Sequence, residues 1–146
     1  MHLTQTKNAK LNILLADDDA VDRELFAEGM AETGVLFNLT EASNGIEVLR
    51  LVEGSEELPD MIILDLNMPV MDGRTTLKEL KSREKFRHIP VFILSTSNAH
   101  FDVTAAYGHG ANLFLVKPDS FTELVNMLNC LFTIIMKYAY FSRNNG

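Results

Sequence analysis

Five short apolar runs punctuate the chain, at residues 11–16, 36–42, 61–64, 91–94 and 112–116. Several are unbroken apolar blocks, the pattern of strands buried on both faces of a parallel sheet. Segments with helical period lie between them. Leu25, Phe26, Gly29 and Met30 share one face after Asp19. Ile46, Leu49 and Val52 follow Asn44 and Gly45, and Leu77 and Leu80 follow Asp72 and Gly73. Leu124, Leu128, Leu131, Ile135 and Tyr138 follow Ser120. Strand then helix, five times over, predicts an α/β fold with a parallel sheet, and right-handed crossovers put helices on both of its faces. Breakers fall where turns are needed, at Gly34, Gly54, Pro59, Gly73, Pro90, Gly108, Gly110 and Pro118. The pattern predicts a single domain over 10–141, with loose segments at 1–9 and 142–146.

Composition narrows the function classes. The 146 residues suit one domain, and 47% of them are apolar, enough for a substantial core. Thirteen basic residues scattered among twenty acidic ones leave a net charge of −7 and no basic patch, so nucleic acid is not an expected partner. The polar N-terminus carries no apolar signal region, which gives a cytoplasmic reading. The uncharged run 124–136 holds Asn126, Asn129 and Thr133 and falls short of the ~20 apolar residues of a membrane span. The one cysteine, Cys130, has no disulfide partner and no zinc spacing, and in its apolar helical stretch it reads as core filler.

Ligands of open α/β sheets bind outside the carboxyl ends of the strands. The first predicted strand ends in Asp17, Asp18 and Asp19, the third in Asp65, the fourth in Ser95, Thr96 and Ser97, and the fifth in Lys117 and Pro118. Carboxylates, a hydroxyl and an ammonium therefore converge on one edge. Clustered carboxylates raise one another's pKa unless a cation sits among them, and hard oxygen ligands suit Mg²⁺. Phosphoryl transfer needs mainly positioning and charge neutralisation. Lys117 supplies a second neutralising charge, Ser95 a hydrogen bond to a phosphoryl oxygen, and Asp65 the nucleophile that forms an acyl phosphate.

The runs ILLADDD, MIILDLNMPVMDG, IPVFILSTS and LFLVKP stand in order and at the right spacing. Over residues 10–140 the chain resembles the receiver domain of bacterial two-component response regulators. The stretch REKFRHIPVFILSTS also resembles the single-domain subgroup linked to phytochrome-type and other histidine kinases. The resemblance implies a flavodoxin-like (βα)5 doubly wound fold with strand order 2-1-3-4-5. It implies Asp65 as phosphoacceptor and Asp17, Asp18, Asp65 and the backbone carbonyl of Asn67 as the Mg²⁺ ligands. Asp18 is the direct ligand of the acidic pair and Asp17 acts largely through water. Ser95 matches the switch hydroxyl and Lys117 the lysine that pairs with the phosphoryl group. Thr96 is the next candidate hydroxyl, Asn67 and Ser97 tune the lifetime of the acyl phosphate, and the Lys117–Pro118 bond is cis. The second switch residue falls on Phe114, which lacks the hydroxyl of a tyrosine. The implied partners are a sensor histidine kinase or a phosphotransfer protein. The chain itself is then a signalling protein that catalyses only its own phosphorylation and dephosphorylation.

Plainer roles exist for some of these residues. Asp19 reads as a helix N-cap, and Asp72-Gly73 as a turn and helix start. His88, His100 and His109 show no ligand spacing. The last helix carries a second apolar stripe, Val125, Phe132, Met136 and Tyr140, whose expected use is dimerisation. No length remains after Phe141 for an output domain, so the expected protein stands alone. Two other functions fit parts of the pattern. A haloacid-dehalogenase-like phosphatase wants a second acid where Asn67 stands. A receiver-like module that never takes phosphate typically lacks one of the residues present here.

Overall fold

The computed structural model describes residues 10–139. The strands are β1 (Leu11–Ala16), β2 (Phe37–Ala42), β3 (Met61–Leu64), β4 (Val91–Ser95) and β5 (Leu113–Val116). The helices are α1 (Ala20–Glu32), α2 (Gly45–Gly54), α3 (Gly73–Ser82), α4 (His100–Gly108) and α5 (Phe121–Lys137). All strand pairs are parallel, in the order β2-β1-β3-β4-β5. This is the expected flavodoxin-like topology. From β1 the chain first builds outward to β2 and then crosses to β3 on the other side, so the crevice at the ends of β1 and β3 is the switch point of the sheet.

Side chains alternate along each strand and feed two cores. Leu14, Ala16, Ile62, Leu64 and Ile93 meet Val48, Val52, Leu77 and Leu80 of α2 and α3 on one side. Ile13, Leu15, Ile63, Phe92 and Leu94 meet Phe26, Met30, Leu128, Phe132 and Ile135 of α1 and α5 on the other. Burial on both faces explains why β3 and β4 are unbroken apolar runs. β2 lies at an edge, and its exposed Asn38, Thr40 and Glu41 give it a mixed sequence. Four helices start where the sequence predicts, under the side chains of Asp19, Asn44, Asp72 and Ser120. α4 starts at Ala99 with no side-chain cap.

Four expectations are corrected. Ile46 is exposed and Val48 takes its place on the buried face of α2, because 45, 48, 49 and 52 share one arc of the helix and 46 lies about 100° round from 45. The second stripe of α5 is largely taken up by the core: Phe132 is buried, Met136 packs beside it, and Leu128, Phe132 and Ile135 form one face. α5 leaves Phe121 and Ile134 exposed, as is Tyr138 just past its end, while Tyr140 and Phe141 lie outside the described residues, as do the expected loose segments 1–9 and 142–146. Cys130 is exposed, since two residues from both Leu128 and Phe132 is about 200° round the helix. No cis bond occurs among the described residues, so Lys117–Pro118 is trans. The trans form is the lower in energy by ~0.5–1 kcal/mol, and Lys117 still turns its ammonium into the site in that form.

The opposite end of the sheet is tied by Lys81. Its ammonium, whose pKa burial pushes down, donates to the carbonyls of Arg87 and Ile89 and to Asn112 Oδ1 at 3.1, 2.9 and 3.2 Å. Asn112 Oδ1 also accepts from the amide of Val91 at the head of β4. Lys81→Met is expected to lower unfolding free energy by about 1–3 kcal/mol, as loss of charge-assisted hydrogen bonds does. Urea titration checks this; a midpoint equal to the wild type's at equal slope would refute it. No described helix is long and apolar enough to cross a membrane.

Candidate functional site

Backbone pairing carries each functional residue just past the end of its strand. The amide of Asp17 donates to Ala42 O at 3.0 Å, that of Asp65 to Ala16 O at 2.9 Å, and that of Lys117 to Ser95 O at 2.8 Å. Asp17 and Asp65 are thereby buried, while Asp18, at the turn into α1, is exposed. One oxygen from each of Asp17, Asp18 and Asp65 lies within 4.8 Å of the others. From the end of the edge strand β5, Lys117 Nζ reaches Asp17 Oδ2 at 2.7 Å, Asp22 Oδ2 at 3.1 Å and Asp65 Oδ2 at 3.4 Å.

The charges are not balanced. Burial raises the pKa of the Asp65 carboxyl, Lys117 offsets part of this, and the Asp17 charge adds to it, leaving it above the usual carboxylate value. Burial alone would depress the Lys117 ammonium. The hydrogen bond to Asp17, the charges of Asp65 and Asp17 and the hydrogen bond to Asp22 outweigh that, and its pKa is raised. A second cation supports the first strand end: Arg23 Nη1 donates to Asp17 O at 2.6 Å and its Nε to Glu41 at 3.0 Å.

The loop after β3 is tightly constrained. The amide of Asn67 points at Asp65 Oδ1, 3.4 Å away. Met71 N donates to Pro69 O at 2.7 Å across Val70, whose φ of 67° is a strained γ-turn conformation for a β-branched residue. Gly45 N and Gly73 N then tie the loop to Met71 O and Leu66 O. Gly73 sits so close to β3 that an added Cβ would overlap Asp65 O and stand 2.8 Å from Leu66 Cα.

The structure brings Asp17, Asp18, Asp65 and Lys117 into one cluster, with Asn67 beside it. Ser95 is fully buried at the end of β4, its Oγ accepting from Ser97 N at 3.2 Å, while Thr96 faces solvent. Pro118 follows Lys117 into the turn before α5. The ring of Phe114 packs partly buried against the α2–α3–α4 core, and its amide donates to the hydroxyl of Tyr107 in α4 at 3.0 Å. Sequence reasoning missed Asp22, Arg23, Arg74, Asp102 and Tyr107. Asp22 and Asp102 had a weak local signal, each as an acid in the first turn of its helix.

Residues 13–129 match the family model described as the response regulator receiver domain. The chain belongs to this family. Among its relatives, the probable methanogenesis regulatory protein FilR2 of Methanothrix harundinacea is 37% identical over 116 residues, covering 77% of this chain and 75% of its own. Response regulator Rcp1 of Synechocystis is 30% identical over 131 residues, 86% of this chain and 89% of Rcp1. The receiver fold superposes on the phosphorylated cyanobacterial phytochrome response regulator RcpA with a TM-score of 0.85 at 28% identity, over 92% of this chain and 100% of that one. Rcp1 has also been solved in a Mn²⁺-bound form, with a TM-score of 0.81 at 27% identity over 90% and 99% of the two chains. Receiver domains bind Mg²⁺ or Mn²⁺ at an acidic pocket, and this receiver carries the matching carboxylate cluster.

Proposed function

We propose that Asp65 accepts a phosphoryl group from the phosphohistidine of a histidine kinase or phosphotransfer protein, and that the chain signals through the changed protein contacts that follow. The observation that carries the reading is the convergence of Asp17, Asp18 and Asp65 with Lys117 bonded across them. An Asp65 oxygen forms the new bond to phosphorus while the P–N bond to the donor imidazole breaks, its electron pair staying on the ring. The carboxylate is already buried, so attack sacrifices little solvation. Lys117 lies 3.4 Å from the reacting group and stays protonated throughout. Asp17 and Asp22 hold it there, so that it meets the phosphoryl oxygens without reorganising.

Three hard carboxylate donors, one of them destabilised by burial and by the Asp17 charge, suit a divalent cation. Asp17, Asp18, Asp65 and the backbone carbonyl of Asn67 would hold Mg²⁺, which when bound neutralises the negative charge that carboxylates and phosphoryl oxygens bring together. Ser95 then turns toward the phosphoryl group, and its neighbours in α4 and β5, Phe114 among them, carry the readout.

Intact mass after incubation with Mg²⁺ and acetyl phosphate tests this. The expected result is a single labile phosphoryl adduct that Asp65→Asn does not form. Steady phosphate release from many monoesters would point to a phosphatase. No adduct with any donor would leave a receiver-like binding module.

A further inference from the structure

Asn67 and Ser97 flank Asp65 and Ser95, and a single cation joins them. Arg74, the second residue of α3, donates from Nη2 to Asp102 Oδ1 at 2.8 Å and reaches Asn67 Oδ1 with Nη1 at 3.4 Å. The other Asp102 oxygen accepts from Ser97 Oγ at 2.7 Å. Asn67 N lies 3.4 Å from Asp65 Oδ1, and Ser97 N is 3.2 Å from Ser95 Oγ. A hydrogen-bonded chain therefore leaves the site at Asp65 and returns to it at Ser95, through Asn67, Arg74, Asp102 and Ser97. Asp102 lies in the first turn of α4, where a negative charge suits the helix N-terminus. The hydrogen bond from Ser97 and then that from Arg74 hold the Asp102 carboxyl below the usual range, so it stays charged.

An acyl phosphate on Asp65 is lost by hydrolysis. The oxygen of water bonds to phosphorus, and the P–O bond to Asp65 breaks with its electron pair left on the carboxylate. The proton of the water passes to solvent and orthophosphate departs. A side chain on the rim speeds this when it can accept a hydrogen bond from the attacking water. Asn67 Oδ1 and Ser97 Oγ are of the right kind, but both are engaged. Asn67 Oδ1 faces the guanidinium. The Ser97 proton goes to Asp102, and its oxygen takes the amide of Ala99 at 3.3 Å.

We infer that Arg74 is a positioning residue that sets the lifetime of the phosphorylated state, by holding Asn67 and, through Asp102, Ser97 away from the attacking water. The inference rests on Asp65 being the phosphoacceptor. It depends on the two-armed fork of a guanidinium, which an ammonium cannot reproduce.

The test labels wild type, Arg74→Ala, Arg74→Lys, Asp102→Asn and the Arg74→Ala/Asp102→Asn pair with acetyl phosphate and Mg²⁺. The donor is then removed and the loss of adduct followed by intact mass. Decay is expected about tenfold faster in Arg74→Ala and Asp102→Asn, the scale of one lost charge-assisted hydrogen bond. Arg74→Lys, which keeps the pair with Asp102 but not the reach to Asn67, is expected to fall between. The double variant is expected to decay no faster than either single one, since both act through one chain. Lifetimes within about twofold of wild type in both single variants would overturn the inference and leave the phosphoacceptor reading standing. So would additive effects in the double variant, or decay rates that only track the drop in melting temperature. Absence of any wild-type adduct would instead sink the reading beneath it.

Discussion

Gly73→Ala is expected to lower the unfolding free energy by about 3 kcal/mol or more, the upper range of overpacking. The reason is steric. The backbone of Gly73 has no positive φ, so a methyl group would be tolerated by the local conformation. It would, however, overlap the carbonyl oxygen of Asp65 and press on Leu66 Cα. Those atoms are backbone at the end of the central strand and cannot swing aside as a side chain does. Relief requires α3 to move off β3, which breaks the Gly73 N to Leu66 O bond and shifts Asp65 itself. Misplacing a reacting group by ~1 Å costs about a hundredfold in rate, so labelling of Asp65 is expected to fall by that order. Gly54→Ala is the control. Nothing lies within 4 Å of a Cβ there, and the residue ends α2, where alanine is the better helix former. Urea unfolding and initial labelling rates check both. A Gly73→Ala protein as stable and as quickly labelled as the Gly54→Ala one would defeat the argument.

That example shows what could be read from the chain and what could not. The order of elements was legible because β3 and β4 are buried on both faces and carry unbroken apolar runs, and β1 is broken only at Asn12. Helix starts were legible because Asp19, Asn44, Asp72 and Ser120 satisfy local backbone donors, a contact that spans two or three residues. The residues of the acidic cluster were legible because parallel strands all end on one edge. Other features depend on what folding brings close from far away. Gly73 looked like a turn residue, and only the packing of α3 on β3 shows that its missing Cβ is what matters. Arg74 and Asp102 are 28 residues apart on separate helices, and neither carries a motif. Two apolar stripes on α5 suggested an outward face. In the fold, α1 and the sheet together cover a wider arc than a single neighbour would, and Phe132 goes inside. Gly29 helps, because its bare backbone lets Leu128 approach where a Cβ would stand 2.9 Å from Cδ1.

Asp65→Asn is expected to make the metal-free protein more stable at neutral pH while removing its ability to be labelled. The raised pKa of Asp65 is a net result: burial and the Asp17 charge together outweigh the help from Lys117. The ionised carboxylate is thus less at ease in the fold than in the unfolded chain, and a neutral amide of the same shape relieves it. Lys117 keeps Asp17 at 2.7 Å and Asp22 at 3.1 Å, so it is not stranded by the change. The sign fixes the pH window. Because the folded value lies above the ordinary 3.8, the favourable protonated form is fully present below that pH, and its contribution is lost as pH rises through the folded value. The advantage of Asp65→Asn over wild type should therefore vanish near pH 4 and below, and grow to a plateau toward pH 7, worth on the order of a few degrees in melting temperature. Mg²⁺ should reverse the order. A cation bound only by the folded state adds about 2.7 kcal/mol at a hundred times its dissociation constant. Wild type keeps all three carboxylates to receive it, whereas Asp65→Asn has lost one and Asp18→Asn another. Melting curves of the three proteins across pH, with EDTA and with excess Mg²⁺, test both halves. An Asp65→Asn protein less stable than wild type in EDTA at pH 7 would contradict the electrostatic account of the site. Equal stabilisation of Asp18→Asn and wild type by Mg²⁺ would show that the cation is held elsewhere.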